Sequence, residues 1–124
     1  GGVYGNGAPV LDAVIRDGLW DPRHDCHMGT HTEGVARQHG ISRADQDAYA
    51  ELSYRRAAAA WARGAFTAEV IAVETPRGTI TSDEEPGRVD FAKLPRLRPA
   101  FLEGGTITAG NASKLNDGAS AVWL

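Results

Sequence analysis

Cys26 and His27 adjoin in the run Asp25-Cys26-His27-Met28-Gly29, where a sulfur nucleophile stands next to a base. Nucleophilic catalysis needs that base within hydrogen-bond reach and a third group to orient it. Neighbouring residues of an extended chain project to opposite sides, and catalytic partners meet in space more than in sequence. Cys26 is therefore not assigned as a nucleophile. Arg88 and Lys93 form a second chemical feature, five residues apart in a stretch flanked by proline and glycine, with Arg96 and Arg98 just beyond. Fork-shaped and point-charge donors together suit a phosphate, although such a pair also serves as ordinary solvated surface. The third feature is Thr106–Gly118, rich in small residues and in asparagine. Small side chains admit close approach to the backbone, Gly110 and Gly118 allow φ angles that bulkier residues resist, and Asn, Ser and Asp hold a loop by short-range hydrogen bonds.

The elements around these features follow from periodicity. Leu11, Val14 and Ile15 have helical spacing over Leu11–Arg16, ending at the turn signal Asp17-Gly18. Thr30 with Glu33 predicts a capping box opening a helix that Gly40 closes. Ser42 with Asp45 caps a long alanine-rich helix over Arg43–Arg63, stopped at Gly64. Its two apolar stripes (Ala44, Ala48, Leu52 and Ala59 continuing Ile41; Ala50, Tyr54, Ala57 and Trp61 opposite) predict a helix gripped from two sides. Glu69–Val73 and Thr79–Thr81 read as a hairpin about Thr75–Gly78, Asp83–Gly87 as acidic loop, Arg88–Leu97 as irregular, and Ala119–Leu124 as a strand covered on both faces.

At 124 residues, 42% of them hydrophobic, with a net charge of −3, the composition is that of one globular, soluble domain at most. The mild acidity and lack of a basic face argue against nucleic acid as partner. No apolar run reaches membrane-spanning length, so no membrane partner is expected. A single cysteine excludes an internal disulfide and fits a reducing compartment, with the cytoplasm as the expected location.

The string T-I-T-A-G-N-A-S-K-L-N-D-G-A, from Thr106 to Ala119, resembles the motif that thiolases (acetyl-CoA acetyltransferases) carry where the loop domain returns to the N-terminal core domain. Thr106, Thr108, Ala109, Gly110, Asn111, Ala112, Ser113, Leu115, Asn116, Asp117, Gly118 and Ala119 carry the match. Asp17–Leu19, His27–Gly29, Ile41–Asp47 (I-S-R-x-x-Q-D) and Leu97–Phe101 (L-R-P-A-F) follow the family in the same order, so the resemblance covers nearly the whole chain.

The resemblance implies an α/β, thiolase-like fold of which this chain is an internal fragment. Residues 1–115 would be most of the mixed α+β coenzyme A-binding loop domain, and 116–124 the first strand returning to the core domain. The implied activity is thiolysis or Claisen condensation of short acyl-CoA, within fatty acid metabolism. In thiolases the acylated cysteine lies upstream of this region, and the histidine and second cysteine lie downstream. The chain would thus supply no catalytic residue, and alone would be inactive. Coenzyme A contacts carried over by motif are Leu19, His27 and Met28 on the pantetheine channel, Arg88 and Lys93 (R-V-D-F-x-K) at the nucleotide, Phe101 near the adenine or pantetheine, and Ala109, Gly110 and Ser113 along the loop. A potassium ion is implied at the Tyr4 hydroxyl and the carbonyls of Ala109, Gly110 and Ala112. Implied partners are acyl-CoA, the remainder of a thiolase polypeptide, and copies of the parent in a dimer or homotetramer. Two alternatives stand beside this reading: a stand-alone coenzyme A-binding module, and one chain of a split thiolase.

Overall fold

The computed structural model describes residues 3–5, 7–116 and 118–124. Two helices dominate, decorated by three two-stranded antiparallel ribbons. The ribbons pair β1 (Val3–Tyr4) with β2 (Ala8–Pro9), β3 (Trp20–Asp21) with β4 (Cys26–His27), and β5 (Val73–Thr75) with β6 (Gly78–Ile80). A π-helical turn, Val14–Leu19, leads into β3 and runs through the Asp17-Gly18 pair expected to end it.

Helix α1 spans Met28–Gln38 and starts two residues before Thr30. Its cap is the His27 imidazole, whose Nδ1 accepts from the Gly29 N–H at 3.0 Å. The expected Thr30–Glu33 box does not form because the Glu33 carboxylate is used elsewhere, 4% exposed against a distant loop. Helix α2 spans Arg43–Ala62 and opens with the full Ser42–Asp45 capping box. Both helices stop against glycines in the left-handed region, Gly40 at φ 64° and Gly64 at φ 72°.

Only one of the two α2 stripes is covered. Asp47, Ala50 and Ala60 are buried and Tyr54, Ala57 and Trp61 half-buried, whereas Ile41, Ala44, Ala48, Leu52 and Ala59 face outward. The outward stripe stays exposed, with Ala44 and Ala48 bordering a shallow cleft against Phe91, Leu94 and Pro95. The hairpin also differs from expectation at its first strand, since 67–69 form a turn and pairing begins at Val73. The acidic stretch carries a short helix, α3 (Glu85–Arg88), because Pro86 sits in a first turn where its missing N–H costs nothing. Phe91–Arg96 winds as a 3-10 helix started by the Asp90 carboxylate accepting from the Ala92 N–H.

The core is small: Ala36, Ala50, Ala60, Leu94 and Ile107, joined by buried Glu33, Asp47 and Thr108. Hydrogen bonds to those polar groups therefore carry much of the long-range order. Ala119–Leu124 carries no regular secondary structure and no strand partner among the described residues, with Val122 83% exposed and Trp123 fully so. A strand has no hydrogen-bonding partner of its own, so the apolar pattern alone cannot form one here.

Candidate functional site

The Thr106–Ser113 loop is fastened from three directions by charged and amide side chains. Glu33, from α1, accepts from the backbone N–H of Thr106 at 2.9 Å, from Ile107 N–H at 2.8 Å and from the Thr106 hydroxyl at 3.0 Å. Burial raises the Glu33 pKa, but those donors and the nearby Arg37 charge outweigh it and hold the carboxyl below its usual value. Gln46, from α2, donates its side-chain amide to the Thr106 hydroxyl at 2.9 Å. Asn111 closes the loop on itself, accepting from Thr108 N–H at 2.8 Å while donating to Asp47 Oδ1 at 2.9 Å and to the Thr106 carbonyl at 3.1 Å.

Asp47 in turn holds Arg43 one helical turn back, Nε to Oδ2 at 2.7 Å. The Arg43 guanidinium also donates to the carbonyls of Leu94 and Leu97. Residues of I-S-R-x-x-Q-D thus join three segments: the loop, α2 and the 3-10 helix. Gly110 lies in this cradle, and a Cβ there would come within 2.4 Å of Leu94 Cδ2 and 2.7 Å of Leu97 Cδ1. Its backbone is not left-handed, so close packing rather than φ requires the glycine.

An open cavity of about 930 Å³ borders the loop between α2 and α3. Arg88, Gly110, Ala112 and Ser113 line it, together with Asn116 and Lys114. Its cations are paired within the chain: Arg88 with Glu84, the residue that precedes α3, and Lys114 with Glu85 at 3.3 Å. The Lys114 ammonium also donates to the Ala109 carbonyl at 2.6 Å. Ala109 itself is exposed beside the cavity and is not part of its wall.

The other expected site residues lie outside this cavity. Phe101 stacks on His27 with ring centroids 4.8 Å apart, and its ring fills the space over Gly29 where a Cβ would stand. H-M-G and R-P-A-F therefore meet as one aromatic patch. Leu19 is half-buried at the entry to β3, and Met28 is 51% exposed at the start of α1. The patch connects to the loop through Ala100, whose N–H donates to the Ile107 carbonyl at 2.8 Å. Lys93 stands apart on the 3-10 helix, exposed and paired with Asp90 at 3.1 Å. Cys26 lies half-buried opposite Asp21 in the ribbon, and His27 spends Nδ1 on the helix cap. The Tyr4 side chain and Asp117 fall outside the described residues.

Sequence reasoning missed Glu33, Arg43 and Asp47 as groups that shape the loop, whereas the short-range bonds of Asn111 follow the expectation for its asparagines. A signal existed in Arg43 and Asp47, an opposite-charge pair at i,i+4 beside the stripe that became buried. Glu33 offered none, because a capping role accounted for it locally.

A helix pair clamping a small-residue loop beside a wide cleft defines an α/β unit whose kin are identifiable. Residues 3–124 match the family described as thiolase, N-terminal domain, and the chain belongs to the thiolase family. The acetyl-CoA acetyltransferase of Yarrowia lipolytica is 48% identical over 97% of this chain, and the human mitochondrial acetyl-CoA acetyltransferase 46% over 98%. The crystal structure of the Acat5 thiolase from Ascaris suum in complex with coenzyme A superposes with a TM-score of 0.84, at 43% identity and 94% coverage. Human mitochondrial 3-ketoacyl-CoA thiolase in complex with coenzyme A gives 0.78, at 33% identity and 89% coverage. The chain spans 31% of the Yarrowia protein, 30% of the human acetyltransferase, and 31% and 28% of those two crystallised chains. No helix among the described residues is long and apolar enough to cross a membrane.

Proposed function

We propose that this chain is the coenzyme A-gripping part of an acetyl-CoA acetyltransferase that cleaves or condenses short acyl-CoA. Residues 1–115 correspond to the loop domain and 116–124 to the stretch that re-enters the core domain. The observation that carries the reading is the loop itself. Its fastened backbone runs from the His27–Phe101 patch, through the Ala100–Ile107 hydrogen bond, to Ser113 and Arg88 at the cavity. An elongated ligand with an anionic nucleotide and a thin amide-bearing arm fits a path with a cation at one end and an aromatic patch at the other.

In this reading Ser113 and the carbonyl-rich backbone around Ala109 and Gly110 hydrogen-bond the arm. Leu19, Met28 and Phe101 cover its apolar parts, and the His27 ring, accepting at Nδ1, offers Nε2–H outward. Arg88 and Lys93 reach the phosphates after exchanging Glu84 and Asp90 for them, so the anion must compete with carboxylates already present. These contacts contribute remote binding energy that positions the thioester. The covalent step belongs to groups outside this chain. Potassium at Ala109, Gly110 and Ala112 would have to displace the Lys114 ammonium from the Ala109 carbonyl, and no step is routed through it.

Exposed Val122 and Trp123, with the outward stripe of α2, are surfaces for the remainder of the polypeptide or for other copies of the parent. The reducing location expected from the lone cysteine, the cytoplasm, belongs to the same proposal, as does a role in fatty acid metabolism. The test is acetoacetyl-CoA cleavage by the pure chain and by the chain co-expressed with a complementary polypeptide carrying the cysteine and histidine motifs. Activity only in the second case is expected. Cleavage by the pure chain that disappears in Cys26→Ser would overturn the reading, and micromolar coenzyme A binding by the pure chain would favour a stand-alone module.

A further inference from the structure

A cluster of side chains on the other side of the β3–β4 ribbon takes no part in that reading. Asp21 ends β3, His24 lies in the turn, and His31 projects from the first half of α1. One ligand atom from each lies within 4.8 Å of the other two. We propose that Asp21, His24 and His31 form a binding site for a divalent transition-metal ion of the zinc type.

The donor set is the first argument. Two imidazoles and a carboxylate suit zinc and its neighbours, and do not suit the hard cations that prefer oxygen alone. Geometry is the second. His24 Nδ1 stands 2.7 Å from Asp21 Oδ2, and the two imidazole rings lie 4.6 Å apart at 36°. Tetrahedral zinc with bonds of about 2.0–2.1 Å spaces its ligands roughly 3.3 Å apart, so a side-chain adjustment of an ångström or so completes the site. Two of the three groups are exposed, so that adjustment disturbs no core.

Preorganisation is the third argument. Asp21 Oδ1 accepts from the N–H groups of Arg23 at 2.8 Å and His24 at 3.3 Å, which fixes the carboxylate and leaves Oδ2 facing the imidazole. The Trp20 indole donates to Asp25 Oδ1 at 3.2 Å and braces the turn, where Asp25 holds a left-handed φ of 49°. Such outer hydrogen bonds are what orients ligands in metal sites. The ion would staple the ribbon to α1, leaving a fourth position for water.

The experiment uses the untagged chain, freed of metal with chelator and titrated with zinc chloride by calorimetry, with thermal melts alongside. One equivalent of zinc, a higher melting temperature with metal, and at least about a tenfold weaker Kd in His24→Ala and in His31→Thr are expected. Cys26→Ser should bind as the parent does. Because His24 and His31 are exposed, both variants should melt like the parent without metal, which separates lost ligation from lost folding. Unsaturable binding, zinc affinity unchanged in both histidine variants, or loss confined to Cys26→Ser would each overturn the site. None of these readouts depends on coenzyme A or on turnover.

Discussion

Glu33 accepts a hydrogen bond from the backbone N–H of Ile107 at 2.8 Å, a contact between residues 74 positions apart in the chain. The same carboxylate takes the Thr106 N–H and hydroxyl, so one buried side chain on α1 stands in for a neighbouring strand. Without it the loop would lose its register against the helix.

Glu33→Gln keeps the shape but weakens charge-assisted bonds, and is expected to cost about 1–3 kcal/mol in chemical denaturation. The wild-type chain should also lose stability in acid. Glu33 has a folded pKa below its unfolded value of 4.5, so its contribution is fully present above that value and fades as pH falls through the folded pKa. Denaturation midpoints between neutral pH and the acid range should therefore fall less steeply in Glu33→Gln than in the parent.

Gly105 should be intolerant for the same reason. A Cβ there would lie 2.4 Å from Glu33 Oε1 and 2.9 Å from the Leu102 carbonyl, one of them backbone that cannot swing aside. Gly105→Ala is expected to destabilise by about 1–3 kcal/mol, read from melting temperature or urea midpoint. Equal stability would mean that the carboxylate does not approach the loop as described.

Asn111→Ala removes the acceptor for Thr108 N–H and the donor to Asp47 Oδ1 together. Thr108 is completely buried, so its N–H has no water to turn to, and a loss of about 1–3 kcal/mol is expected. Hydrogen exchange should speed up at Thr108 and Gly110 before it does at the centre of α2. Unchanged protection there would contradict the closed loop.

How much of this was legible beforehand depends on how local each cause is. Ser42 with Asp45, and the stops at Gly40 and Gly64, were readable because capping is decided within one helical turn. The family string was readable because so many of its positions are fixed together. The role of Glu33 was hidden, since Thr30 three residues earlier gave it a sufficient local account. The outward stripe Ile41–Leu52 and the apolar Ala119–Leu124 were read as covered, yet pattern reports a wish for burial and not what supplies it. Arg88 and Lys93 looked like free cations until Glu84 and Asp90, neighbours at i,i+4 and i,i+3, proved to hold them.

Exposed Val122 and Trp123 give the fourth expectation. The isolated chain should self-associate at high concentration, and Trp123→Ser with Val122→Asp should reduce that without lowering the melting temperature. A parent that sediments as a single monomeric species at all concentrations would count against an apolar surface in search of a partner.

The central claim is that these residues hold coenzyme A and leave the bond-breaking to others. Steady-state thiolysis by the reconstituted enzyme, comparing parent, Ser113→Ala and Arg88→Ala, tests it most directly. The account predicts a several-fold higher KM for coenzyme A with kcat nearly unchanged, the mark of lost uniform binding. Unaltered KM in both variants, or a collapse of kcat with KM intact, would contradict it.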